Sequence, residues 1–148
     1  MGKNKRPAVA KDPPQFGKQP RIERNPDGPN DWKPVWRFQR MDMDGPWSWA
    51  KASARDLLEH LHERLRSFES MTWNEIDRAK SCGSIAVAQL CKEARDRLME
   101  IRQDDVDHLY KLRITQKGRV WSIRDGHIFL LLWWDPDHTV YPMNITDN

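Results

Sequence analysis

Apolar and charged positions alternate strictly from Leu109 to Thr115, with Tyr110, Leu112 and Ile114 on one face and Lys111 and Arg113 on the other. Alternation of this kind predicts a strand with one face covered and one open. Gln116-Lys117-Gly118 turns the chain, and a second strand follows over 119–124 with Trp121 and Ile123 on one side. Asp125-Gly126 predicts a two-residue type I′ hairpin, which needs positive φ at both central residues. Residues 128–134 are apolar on both faces, as a central strand requires, and 139–141 predict a short last strand after Asp135-Pro136-Asp137.

Upstream the period changes. Pro34 to Phe38 reads as a strand, and Gly45-Pro46 closes a turn before Trp47 and Trp49. Leu57, Leu58, Leu61, Leu65 and Phe68 recur at helical spacing behind Ser53, predicting an amphipathic helix over 53–69. Thr72 followed at three by Glu75 caps a short helix over 73–79. Val87, Leu90, Cys91, Ala94, Leu98 and Ile101 predict a third helix over 85–102. The expected fold class is therefore α+β. An amino-terminal strand and two to three helices precede a three- to four-stranded antiparallel sheet, and the helices cover one face of it.

Composition adds a boundary. The chain has 148 residues, 32% charged and 38% hydrophobic, with mean hydropathy −0.89. Residues 1–30 hold Pro7, Pro13, Pro14, Pro20, Pro26 and Pro29 with Lys and Arg between them. They are expected to form a disordered basic arm ahead of one domain at 31–148. The net charge of +3 permits a nucleic-acid partner without requiring one. Cys82 and Cys91 are too few and too far apart for a zinc site, and His60 and His62 lack a third ligand, so neither a metal nor a cofactor is expected. No secretory or membrane-spanning segment is read, so a reduced, cytoplasmic protein is expected. Gly-rich phosphate loops, G-x-S-x-G and HExxH are all missing from the sequence.

One constellation could do chemistry. Lys111 and Arg113 share a strand face, Arg119 opens the next strand, and His138 and Tyr141 follow the central one. RNA cleavage without a metal needs a base for the 2′-hydroxyl, an acid for the leaving 5′-oxygen and cations for the phosphorane. Histidine can serve as base or acid, and arginine forks onto phosphate oxygens. Arg119, His138 and Tyr141 are the candidate catalytic residues, and Lys111, Arg113, Lys117 and Arg124 the candidate RNA contacts. A plain solvated sheet face would carry the same alternating cations.

Tyr110-Lys111-Leu112-Arg113, Lys117-Gly118-Arg119-Val120-Trp121, Asp125-Gly126 with its apolar strand, and His138-Thr139-Val140-Tyr141 resemble the carboxy-terminal sheet of RelE/ParE-type toxins. The likeness covers the final third of the chain and, in element order, the middle. It implies a toxin of a toxin–antitoxin pair. In the RelE branch such a toxin is a metal-independent endoribonuclease that cuts mRNA on the ribosome. RNA or the ribosome and a cognate antitoxin would be its partners, with no membrane. The alternative the resemblance implies is a non-catalytic protein that inhibits a protein target, as the ParE branch inhibits gyrase, or binds nucleic acid. The sequence departs from the pattern in two places. Asp135 and Asp137 stand where the family often has an arginine, and His138 and Tyr141 are three apart rather than adjacent.

Overall fold

The computed structural model describes residues 29–142. The arm expected at 1–30 lies outside them except for Pro29 and Asn30, which begin a 3-10 turn, Pro29–Asp31. Strand β1 (Val35–Arg37) comes first. A π-helical stretch (Asp56–Leu61) then runs into α1 (His62–Glu69), followed by α2 (Trp73–Arg78). Strand β2 (Gly83–Ala86) and α3 (Lys92–Glu100) precede the run β3 (His108–Arg113), β4 (Arg119–Asp125) and β5 (Ile128–Asp135). The class is α+β, as the periodicities imply.

Among the described residues the sheet has five strands in the order β1-β5-β4-β3-β2. β1 runs parallel to β5, and the other pairs are antiparallel. This corrects the expected three- or four-stranded antiparallel sheet in two ways. First, the amino-terminal strand joins the sheet as a parallel edge. Second, the helix expected over 85–102 begins only at Lys92, because Gly83–Ala86 pairs with β3 as the opposite edge strand. Ile85, Val87 and Leu90 are spaced so that an edge strand plus a 3-10 turn buries them as well as a helix would. The segment 139–141 is not a strand. Its Thr139 and Val140 N–H groups donate to the Asp135 carboxylate instead of to a ladder.

Helices cover both faces, not one. Trp73, Ile76 and Phe68 of α1 and α2 pack with Tyr110, Leu112, Val120, Phe129 and Leu131 on one side. Leu90, Ala94 and Leu98 pack with Leu109, Trp121, Leu132 and Trp133 on the other. A register shift at Trp121/Ser122 lets β5 turn both Leu132 and Trp133 to the α3 side. On the first helix the π-type bond from His62 N–H to the Leu57 carbonyl inserts an extra residue into the turn. That rotates Leu57 and Leu58 off the buried stripe, leaving Leu58 71% exposed.

Two loops border β5. The β4–β5 loop is Gly126-His127, since Asp125 already pairs with Ile128, and of these two residues only Gly126 has positive φ (62°). That is the sign pattern of a type II′ turn rather than the expected I′. The loop before Trp47 lies along the part of β5 that β1 does not reach, with Asp42 N–H donating to the Leu132 carbonyl and Trp134 N–H to the Trp47 carbonyl. Gly45 in this loop has φ 77°, and a Cβ there would meet Arg97 Nε at 2.6 Å. No described helix is long and apolar enough to cross a membrane.

Candidate functional site

Strand alternation gathers one group of cations at the end of the sheet where β3 stops and β4 starts. Arg113 and Arg119 are direct cross-strand partners, and Lys111 lies on the same face two pairs further in, opposite Trp121. Like charges placed opposite each other cost stability. Arg119 is only 4% exposed. Its Nη1 donates to the carbonyls of Thr115, Gln116 and Gly118 at 3.1, 3.2 and 3.1 Å, so the tight turn at 115–118 cradles one side of the guanidinium. Gly118 makes that turn possible, because a Cβ there would meet Thr115 Oγ1 and the Trp134 ring at 2.6 Å. On the other side Arg119 Nε is buried without a hydrogen-bond partner.

His138 and Tyr141 reach the same face through the turn after β5. Asp135 organises that turn. It is fully buried and accepts from Thr139 N–H (2.9 Å), Thr139 Oγ1 (3.1 Å), Val140 N–H (3.0 Å) and Trp121 Nε1 (3.3 Å). The Asp135 carboxylate is thus committed to the turn rather than presented at the surface. Asp137 is exposed. The turn leaves His138 at φ 59°, a left-handed conformation uncommon for a non-glycine residue. The Tyr141 ring lies over the Lys111 ammonium, 5.6 Å from Nζ to the centroid.

The electrostatics agree with this grouping. Burial and then the Arg119 charge hold the His138 pKa below its ordinary value, so the imidazole is neutral at pH 7. Burial and then Arg119 likewise pull down Lys111, and burial and then Arg113 pull down Arg119. Among the described residues no carboxylate lies within ion-pair distance of Lys111, Arg113, Lys117 or Arg119, whereas Arg55, Arg66, Lys92, Arg97 and Arg124 each have at least one.

Of the sequence-predicted residues, the structure brings Lys111, Arg113, Arg119, His138 and Tyr141 to one end of one face. Lys117 stands exposed at the adjoining hairpin tip. Arg124 does not join them. It lies on the opposite face at the opposite end of β4, over the Trp73 ring at 4.1 Å, and is ion-paired with Asp77. Its remaining donors go to Asn30 and the Gly126 carbonyl.

Sequence reasoning passed over Arg64 of α1. Its Nε donates to the Arg113 carbonyl at 3.2 Å, at the rim of the cationic end, and no carboxylate pairs with it among the described residues. The signal was available in the spacing. Arg55 and Arg66 have acids three or four residues away on their helix, but the positions three and four from Arg64 hold His60, Leu61, Ser67 and Phe68. Among the described residues no group of three or more His, Cys, Asp or Glu side chains could hold a metal ion.

The fold and this cluster define an α+β protein whose sheet ends in a patch of cations without ion-pair partners among the described residues, beside a neutral histidine. The chain matches no protein-family model, no curated protein and no solved structure.

Proposed function

We propose that the cationic end of the sheet binds RNA through its phosphates and cleaves it as a metal-independent endoribonuclease, the toxin of a toxin–antitoxin pair of the RelE-like kind. The observation that carries this reading is Arg119, a buried guanidinium with an unpartnered Nε, flanked by like charges, whose one acidic cross-strand neighbour, Asp135, is committed to the donors of its own turn and makes no ion pair with it. A protein keeps such a costly arrangement where an anion is meant to complete it. In cleavage, neutral His138 accepts the 2′-hydroxyl proton as the 2′-oxygen attacks phosphorus. Arg119 and Arg113 hold the charge that builds on the phosphorane. Lys111, an easier proton donor than an ordinary lysine, protonates the leaving 5′-oxygen, giving a 2′,3′-cyclic phosphate. The Tyr141 ring keeps the Lys111 ammonium in place.

The test is expression in a bacterial host with primer-extension mapping of cellular mRNA. The wild type should arrest growth and produce discrete new cuts. Arg119→Ala and His138→Ala should each lose about 10²-fold or more in cutting rate. Arg119→Lys guards against misfolding, since it can still donate to the hairpin carbonyls. Growth arrest with intact message would favour the non-catalytic alternative, and variants that cut like the wild type would sink the assignment.

A further inference from the structure

The cations do not stop at the sheet. Arg64 is bound to the end of β3 through the Arg113 carbonyl, and its guanidinium rests on the Phe68 ring with Cζ 4.6 Å from the centroid. These two contacts use Nε and one ring-facing side, and leave both terminal nitrogens without a partner among the described residues. The Cys82 thiol marks how close the members lie. It accepts from Arg113 N–H at 3.5 Å and feels the charges of Arg64, Lys111 and Arg119 together. A continuous line of cations thus runs from Lys111 and Arg119, across Arg113, to Arg64. It passes from the α3 face of the sheet round its rim to the helix on the other side, with Lys117 beside it on the hairpin.

We infer that Arg64 takes a phosphate flanking the one held at Arg119, so that the ligand is a single strand of several nucleotides rather than a mononucleotide or a duplex end. This rests on the RNA reading above. A line of point charges separated along a surface suits a backbone with a charge at every residue, and one bent around a rim suits a strand flexible enough to follow it. Arg64 is a positioning residue here, since the candidate reacting groups lie at the other end of the line.

The experiment uses the full chain and a 2′-O-methylated oligonucleotide of about eight nucleotides, which binds but lacks the attacking hydroxyl. Affinity is followed by fluorescence anisotropy across a salt series. Each phosphate neutralised on a single strand contributes about 0.7 to the slope of log affinity against log salt. Arg64→Gln should lower the slope by about 0.7, and Arg64→Lys should restore it. A merely structural role would move the melting temperature and not this slope. Independently of any variant, wild-type affinity should climb as the oligonucleotide lengthens from two to about six nucleotides. Tight wild-type binding with an unchanged slope in Arg64→Gln, or with no length dependence, overturns the flanking site and leaves the RNA reading standing. A wild type that binds no oligonucleotide overturns both.

Discussion

Arg97 and Arg119 both sit against the α3 side of the sheet, both largely out of water, and they are held in opposite ways. Arg97 forks onto Asp42 with Nε and Nη2 at 2.9 and 2.8 Å, and Nη1 reaches Glu100 at 2.9 Å. Asp42 is further satisfied by Trp133 Nε1 and by the Asp44 N–H. Those carboxylates push the Arg97 pKa up, while burial and Arg113 pull that of Arg119 down. One arginine ties the loop before Trp47 to α3 with each of its three nitrogens engaged by a carboxylate. The other is suspended from three carbonyls with a donor to spare. The difference separates cations that hold the fold together from cations that the fold holds in place.

The sharpest way to test the structural half of that contrast is Asp42→Asn. Removing one partner of a buried ion pair strands the other, and stability should fall by about 3–5 kcal/mol in urea unfolding. A pH signature goes with it. Burial alone would raise the Asp42 pKa, but the donors from Arg97, Trp133 and Asp44 outweigh it, so the folded-state value is lowered. A lowered carboxylate contributes stability that is complete above its unfolded pKa of about 3.9 and is lost as pH falls through the folded value. The wild type should therefore lose stability steeply below about pH 4, and Asp42→Asn should flatten that limb. An equally steep acid limb in the variant would mean that other carboxylates carry it.

Much of this arrangement is readable from spacing, and the parts that are not have definite physical reasons. Lys111, Arg113 and Arg119 could be grouped because strand parity and hairpin pairing are local rules. Arg124 could have been set apart by the same rule, since an odd separation of five from Arg119 on one strand puts the two on opposite faces. The second covered face was not readable, because where α3 lands is decided by tertiary packing of Leu90, Ala94 and Leu98, not by their period. Nor was the role of Asp135: a carboxylate that caps a turn and one that faces solvent are the same letter in a sequence.

Arg124 offers a smaller test of the contrast. It is a neutralised cation like Arg97, though partly exposed, with its Asp77 pairing at 3.5 Å and its guanidinium over Trp73 and Tyr110. Arg124→Ala should cost about 1–2 kcal/mol of stability, after allowing for solvent screening of the ion pair. Message cutting should persist at the wild-type rate. If Arg124→Ala instead abolished cutting as Arg119→Ala is expected to, with the protein still folded, the division between neutralised and open cations would fail.

The smallest expected effect bears on the acids near the cluster. Two aspartates flank Pro136, and by sequence either could repel a phosphate. The structure assigns them different work. Asp135 satisfies three donors of the turn and Trp121 Nε1 of β4, whereas Asp137 is exposed and enters no hydrogen bond or ion pair with a described residue. Its charge therefore acts on the cationic end only through water and salt, where interactions between exposed groups are weak and screened over about 10 Å. Asp137→Asn should leave stability within about 0.5 kcal/mol of wild type. It should tighten oligonucleotide binding by less than about threefold, a gain that disappears in high salt. A gain that persists in high salt would mean that Asp137 contacts the ligand directly, and that the cationic end is partly self-neutralised after all.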